Sequence, residues 1–222
     1  MFLQHEPGHP PRDDGFVYAY FAFSGNRSFW NNNDAMLLGR VRQVALVQPR
    51  MSVENDWVFY CAAPGARERW CTSEANAVPV FYFEKMVGEN VVSYDAGSGR
   101  YLFANFGFYR GDTGQPYSWF SKPIQDRRWS QLSIFESKHP WGPWSLVHLV
   151  DDWRGTGAGY TPTLPSAWLH REGDVLQAVM VHSGWWDDYN FATVPISFDI
   201  LAGGAASKTD DVTCTASISG RS

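Results

Sequence analysis

Three times along this chain an acidic residue and a glycine lead into a run of β-forming residues: DDGFVYAYF at 13–21, DAGSGRYLFANF at 95–106 and REGDVLQAVMV at 171–181. Glycine supplies the turn, and the valines, tyrosines and phenylalanines that follow favour a pleated, half-buried strand. Each copy continues through a polar, aromatic-rich loop into a second strand: AMLLGRV at 35–41, LSIFES at 132–137 and FATVPISF at 191–198. Two copies add a further strand, WVFYCA at 57–62 and WSLVHLV at 144–150, and a short segment precedes each turn: MFLQ, ENVVSY at 89–94 and PSAWL at 165–169. The units recur about every 78–81 residues, counted between Asp14, Asp95 and Gly173.

Four short antiparallel strands per unit are the content of a β-propeller blade. A two-sheet sandwich with long loops fits the same pattern. On the propeller reading, residues 1–204 form about three four-stranded blades of an all-β fold, the third lacking its outer strand. Residues 205–222 form a polar, flexible C-terminal tail. Propellers close with about four to eight blades, and open blades leave edges and apolar faces exposed. Three blades are therefore expected to belong to a larger ring, completed by missing N-terminal blades or by another chain.

Composition agrees with a strand-rich globular protein: hydrophobic residues make up 44 %, charged residues 18 % and aromatics 16 %, with 20 Gly and 13 Pro as punctuation. The net charge of −5 and the lack of a Lys/Arg run argue against nucleic acid as a partner. The longest apolar runs, such as LQAVMV at 176–181, are too short to cross a bilayer. MFLQHEPGHPPRDDG has neither the cationic nor the apolar region of a signal peptide. Cys61 and Cys71 flank a turn-like segment and form either a disulfide or two idle thiols, with Cys214 left over. No spacing resembles a metal site, and no phosphate loop or dinucleotide fingerprint implies a cofactor.

The chemistry is expected in the loops between second and third strands, 23–34, 107–128 and 182–190, which would open on one face at the propeller funnel. Each sets tryptophan beside polar groups: Trp30 with Asn31 to Asn33, Trp119 with Arg110 and Asp112, and Trp185 and Trp186 with Asp187 and Asp188. Such platforms suit a poly- or oligosaccharide, whose C–H face stacks while its hydroxyls bond; the competing role is to clamp loops onto blade faces. Glycoside hydrolysis needs two carboxylates across one bond. Glu89, leading into an inner strand, is the general-acid candidate, or else a solvated or N–H-capping carboxylate. Asp13, Asp14 and Asp95 read as turn aspartates, and His5, His9 and His170 as solvated. His182 precedes a binding loop without an acid partner in sequence. SIFESKHPWGPWSLV looks reactive, but its KHPWGP turn joins two outer strands. Glu136 and His139 are thus expected at the rim, away from bound glycan, with Trp141 and Trp144 padding the edge.

MVGENVVSYDAGSGRYLFANF, SIFESKHPWGPWSLV, GAGYTPTLPSAW and SGWWDDYNFATVPISF, in that order, resemble the C-terminal portion of the family called domain of unknown function 4185. The resemblance covers about residues 2–200. It implies a five-bladed propeller related in architecture to arabinanases, some members being extracellular glycoside hydrolases that cut D-arabinan. Glu89 falls on a matching family acid, and Tyr160 joins Trp30, Trp119 and Trp185 in holding the glycan. A histidine-proline pair expected after Gly159-Tyr160 is replaced by Thr161-Pro162-Thr163. The competing readings are a non-catalytic glycan-binding module and a structural propeller fragment.

Overall fold

A computed structural model describes residues 1–10, 12, 14–23, 33–46, 56–63, 67–88, 91–110, 128–151, 153, 160–183, 191–202 and 212–218, with backbone alone at 108–110, 128–129, 160, 200–202 and 212–218. The fold is all-β, built from three antiparallel sheets in chain order. In the first sheet, β1 (Phe16–Phe23), β2 (Asn33–Arg42), β3 (Trp57–Tyr60) and β4 (Trp70–Cys71) lie side by side. β5 (Phe81–Val87) shares the β3 edge of β2. The second sheet runs β6 (Val92–Asp95), β7 (Arg100–Arg110), β8 (Arg128–Ser137) and β9 (Ser145–Val150). In the third, β10 (Tyr160–Thr163) and β11 (His170–Glu172) share one edge of β12 (Val175–Ser183), followed by β13 (Phe191–Ala202) and β14 (Val212–Ile218).

Alternation along each strand stacks the sheets face to face. Tyr18, Tyr20, Met36 and Leu38 of the first sheet pack on Phe103 and Phe135 of the second. From the other face of the second sheet, Leu102, Ala104, Phe106, Leu132 and Ile134 meet Leu176, Ala178, Met180, Ile196 and Phe198 of the third. Burying each of these large side chains stabilises the fold by roughly 1.5–3 kcal/mol. A third cluster, Ala19, Val41, Trp57 and Phe59, lies on the far face of the first sheet, with the short helix Gln43–Leu46 against it.

The N-terminal segment clips the first two sheets together. Phe2 bridges Ala19, and Gln4 bridges Ser93 in parallel. Gln4 donates from its amide to Val92 (2.9 Å) and accepts from Tyr94 (2.8 Å).

Three expectations are corrected. Residues 165–169 do not form an inner strand: Ser166–Trp168 is a 3-10 turn, and β10 lies on that edge instead. The third unit does not lack its outer strand, because β14, within the stretch read as a tail, pairs with β13 from Ile196↔Ile218 to Ala202↔Val212. Thr213, Thr215 and Ser217 make its alternation polar enough to look like tail sequence. β5 was not anticipated at all.

Cys61 and Cys71 form a disulfide, with Cα atoms 6.0 Å apart, that ties β3 to β4 beside the Tyr60↔Trp70 pair. Of the two readings of these cysteines, the bridge is the one present. A bridge spanning ten positions is worth about 2–3 kcal/mol by loop-closure entropy. The double variant Cys61→Ser, Cys71→Ser should lower unfolding free energy by about that amount in urea titration. An unchanged midpoint would mean that the hairpin is held by its other contacts.

Candidate functional site

The strand ends that flank 24–32, 111–127 and 184–190 are joined by buried polar contacts. The Asn33 side chain, at the start of β2, donates to the Val87 carbonyl (3.2 Å) at the end of β5. Asn105 on β7 donates to the Met86 carbonyl (2.9 Å) and to the Ser133 hydroxyl (3.0 Å) on β8. Its own carbonyl oxygen accepts from the Gly88 amide at 3.4 Å. The backbones are in near contact here: a Cβ on Gly88 would stand 2.3 Å from the Phe106 ring, and one on Gly107 would stand 2.8 Å from Met86 Cα. Glycine is required at both positions by close approach. The residue before Glu89 is therefore fixed against β7.

A second set of contacts links β8 to β12. Ser130 Oγ donates to the Trp153 carbonyl (2.9 Å), and the Trp153 amide donates back to Ser130 (2.8 Å). The Trp153 ring lies edge-on to His182 at 5.0 Å. His182 is buried, its Nδ1 donating to the Ser183 carbonyl at 3.3 Å. These contacts gather the ends of β2, β5, β7, β8 and β12 into one face.

Of the sequence-predicted site residues, Glu89, Trp30, Asp112, Trp119, Trp185 and Asp187 lie outside the described residues. Arg110 ends β7 opposite Arg128, and Tyr160 opens β10 opposite Ser183, both described by backbone alone. Two non-glycine residues among those described have positive φ, Lys85 (51°) and Thr161 (50°). Both sit near register shifts, in the β2–β5 and β10–β12 pairings. Lys85 donates its amide to Asp34 Oδ1 (3.0 Å). Left-handed backbone at such residues costs of order 1–3 kcal/mol and persists where its surroundings enforce it. Thr161 opens the Thr161-Pro162-Thr163 segment.

A second polar locality lies along β1 and β3–β4. Arg12 pairs with Asp14 (3.2 Å) and Glu68 (3.2 Å), and Arg40 with Glu68 (3.5 Å) and Asp14 (3.6 Å). Tyr18 donates to Asp14 (2.6 Å), and Trp70 Nε1 to Glu68 (2.5 Å). Arg40 also stands over the Trp70 ring, 4.1 Å from its centroid. These carboxylates are committed to arginine and serve as clamps rather than proton carriers. Burial, with the hydrogen bond to Asp14, pushes the Tyr18 phenol up to about 12.

Beside this cluster lies a cleft of about 780 Å³ lined by Tyr60, Glu68, Val78, His139, Trp141 and Pro143. The rings of His139 and Tyr60 lie near-parallel to Trp141, at 5.3 and 5.4 Å. Glu136 is buried, 3.9 Å from Arg100. Trp144 pads Tyr20 and Phe103. Asp95 caps its turn, accepting from Gly97 (3.3 Å) and Ser98 (2.7 Å). His5, His9 and His170 are exposed. No metal-holding group of three His, Cys, Asp or Glu occurs among the described residues. Asn33, read beside Trp30 as a group for sugar hydroxyls, is instead buried and bonded to Val87, and sequence reasoning missed the Asn105–Ser133 pair and the cleft. The amide inside the apolar LFANF was the available signal for the first.

No family model, curated protein or solved structure matches the chain.

Asn105→Ala removes bonds from buried groups and should cost about 2–3 kcal/mol, read by chemical denaturation; a loss below half of that would mean that other partners satisfy these groups. Tyr18 keeps its proton in the folded state above the ordinary value of 10.0, whereas the unfolded chain releases it there. Its contribution is therefore full below pH 10 and is lost as pH rises towards 12. Burial raises Tyr20 and Tyr101 in the same direction. Stability should fall through this window, less steeply in Tyr18→Phe, when melting temperature is followed against pH.

Proposed function

We propose that this chain is part of an arabinanase-like β-propeller that binds a poly- or oligosaccharide on the strand-end face. The observation that carries this reading is the convergence of the strand ends flanking the Trp30, Trp119 and Trp185 loops, with Glu89 one residue beyond the clamped Gly88. Aromatic faces beside hydrogen-bonding groups are what a sugar ring requires. Three antiparallel sheets stacked in chain order support the propeller assignment. The disulfide suits an extracellular setting.

In this reading Glu89 acts as the general acid of a glycoside hydrolase, and the second carboxylate comes from the blades that complete the ring. Binding without turnover is the second reading. It needs only the aromatic loops, with Asn33, Asn105, Ser130, Ser133 and His182 as buried supports beneath them. Both readings are tested by mixing the chain with arabino-oligosaccharides and measuring heat of binding and release of reducing ends. Trp185→Ala should weaken binding about five- to tenfold. Glu89→Gln should lower any turnover by about a hundredfold or more while preserving binding. Unchanged turnover in Glu89→Gln would remove the acid assignment, binding with no turnover in the parent would select the module, and no binding would reject the saccharide reading.

A further inference from the structure

We infer that the cleft lined by Tyr60, Glu68, Val78, His139, Trp141 and Pro143 is a second saccharide-binding site, separate from the strand-end face. It lies at the β8–β9 turn, beyond Ser137, whereas the strand-end face lies at the Arg128 end of the same strand. Ten residues of β8 place the two roughly 30 Å apart. The inference rests on the cleft alone and does not require Glu89.

Its volume of about 780 Å³ falls within the usual span for small-ligand sites. Both walls are pinned. The Cys61–Cys71 disulfide fixes the hairpin that presents Tyr60 and Glu68. On the other side, Gly142 has φ +85° and packs so closely that a Cβ there would stand 3.0 Å from the Trp144 ring. A site with fixed walls loses little entropy on binding.

The lining selects the ligand. Arg12 and Arg40 neutralise Asp14 and Glu68, so the cluster beside the cleft carries two charges of each sign. Glu68 is the carboxylate in the cleft lining, and its pairing with both arginines leaves an ion no uncompensated opposite charge to meet there. A neutral ligand needs none. Glu68 Oε1 accepts from Trp70 and Arg40, whereas Oε2 accepts from Arg12. A carboxylate oxygen has two lone-pair sites, so Oε2 retains capacity for a hydroxyl donor. The His139 ring is exposed and held parallel to Trp141, a flat platform at the cleft. Pro143 and Val78 complete an apolar wall. A flat C–H face, hydroxyl donors at the edge and no charge describe a neutral sugar unit.

Saturation-transfer NMR on the oxidised full chain tests this, with arabino-, xylo- and cello-oligosaccharides as probes and a proline-rich peptide as the competing macromolecular class. At least one saccharide should show transfer at millimolar concentration. His139→Ala and Trp141→Ala should each weaken that binding about five- to tenfold, in the parent chain and equally in a Trp185→Ala background, where the strand-end site is already impaired. If Trp141→Ala is unfolded by circular dichroism, His139→Ala carries the test, since its ring is exposed. The proposal is overturned by transfer to no saccharide or by binding of the peptide alone. It is overturned equally by saccharide binding that Trp185→Ala abolishes and His139→Ala leaves intact, which would place the sugar on the strand-end face only.

Discussion

The second sheet is buried on both faces, and the rest of the molecule is arranged around that fact. Phe103 and Phe135 face the first sheet, while Leu102, Phe106, Leu132 and Ile134 face the third. A sheet in this position cannot place polar side chains on a solvent face, so each polar residue in it must find a partner inside. Asn105, Ser130 and Ser133 are fully or nearly fully buried, and their partners are the end of β5, Trp153 and each other. Those bonds also determine how the neighbouring sheets are placed. The polar contacts that satisfy the middle sheet are the ones that bring the strand ends together.

Much of this was legible along the chain. The DG-type turns and the strands after them, DDGFVYAYF, SGRYLFANF and EGDVLQAVMV, have strong local signals because glycine and β-formers act within a few residues. The strand expected at 165–169 lies instead at Tyr160–Thr163, since PSAWL has strand composition while Pro165 begins a tight turn. β14 was obscured by alternating threonine and serine, and β5 by the acid and lysine inside FYFEKMV. Pairing with β13 and β2 overrides these weak propensities. The cleft could not be read at all: Tyr60 and Trp141 come from different sheets and meet through packing. The KHPWGP turn was correctly placed between outer strands, but its position does not disclose what the first sheet sets opposite it.

The arginine–carboxylate cluster shows how charge can be numerous and yet chemically quiet. Each of its half-buried carboxylates meets both arginines, so no single charge is left to be desolvated alone. Exposed ion pairs contribute little to stability; their value here is geometric. Arg12 belongs to the N-terminal segment, whereas Arg40, Glu68 and Trp70 belong to β2 and the β3–β4 hairpin. The network therefore fixes the orientation of the hairpin that forms one wall of the cleft, and Arg12 also reaches over Trp141 on the other wall.

The two ends of the second sheet differ in kind. At the β6–β7 turn, Asp95 satisfies two turn amides and Arg171 of the third sheet donates to the Gly97 carbonyl (3.1 Å). Short turns there close locally and leave few groups to spare. At the opposite end lie the Lys85 and Thr161 backbone strain, both register shifts, and glycines that tolerate no side chain. Bulges and strained residues persist only where surrounding packing holds them. Asn105 and Trp153 provide that packing without occupying the surface above it. A scaffold organised in this way holds one end through turn chemistry and the other through buried amides and close backbone approach. That division is the physical reason to seek ligand recognition on the strand-end face.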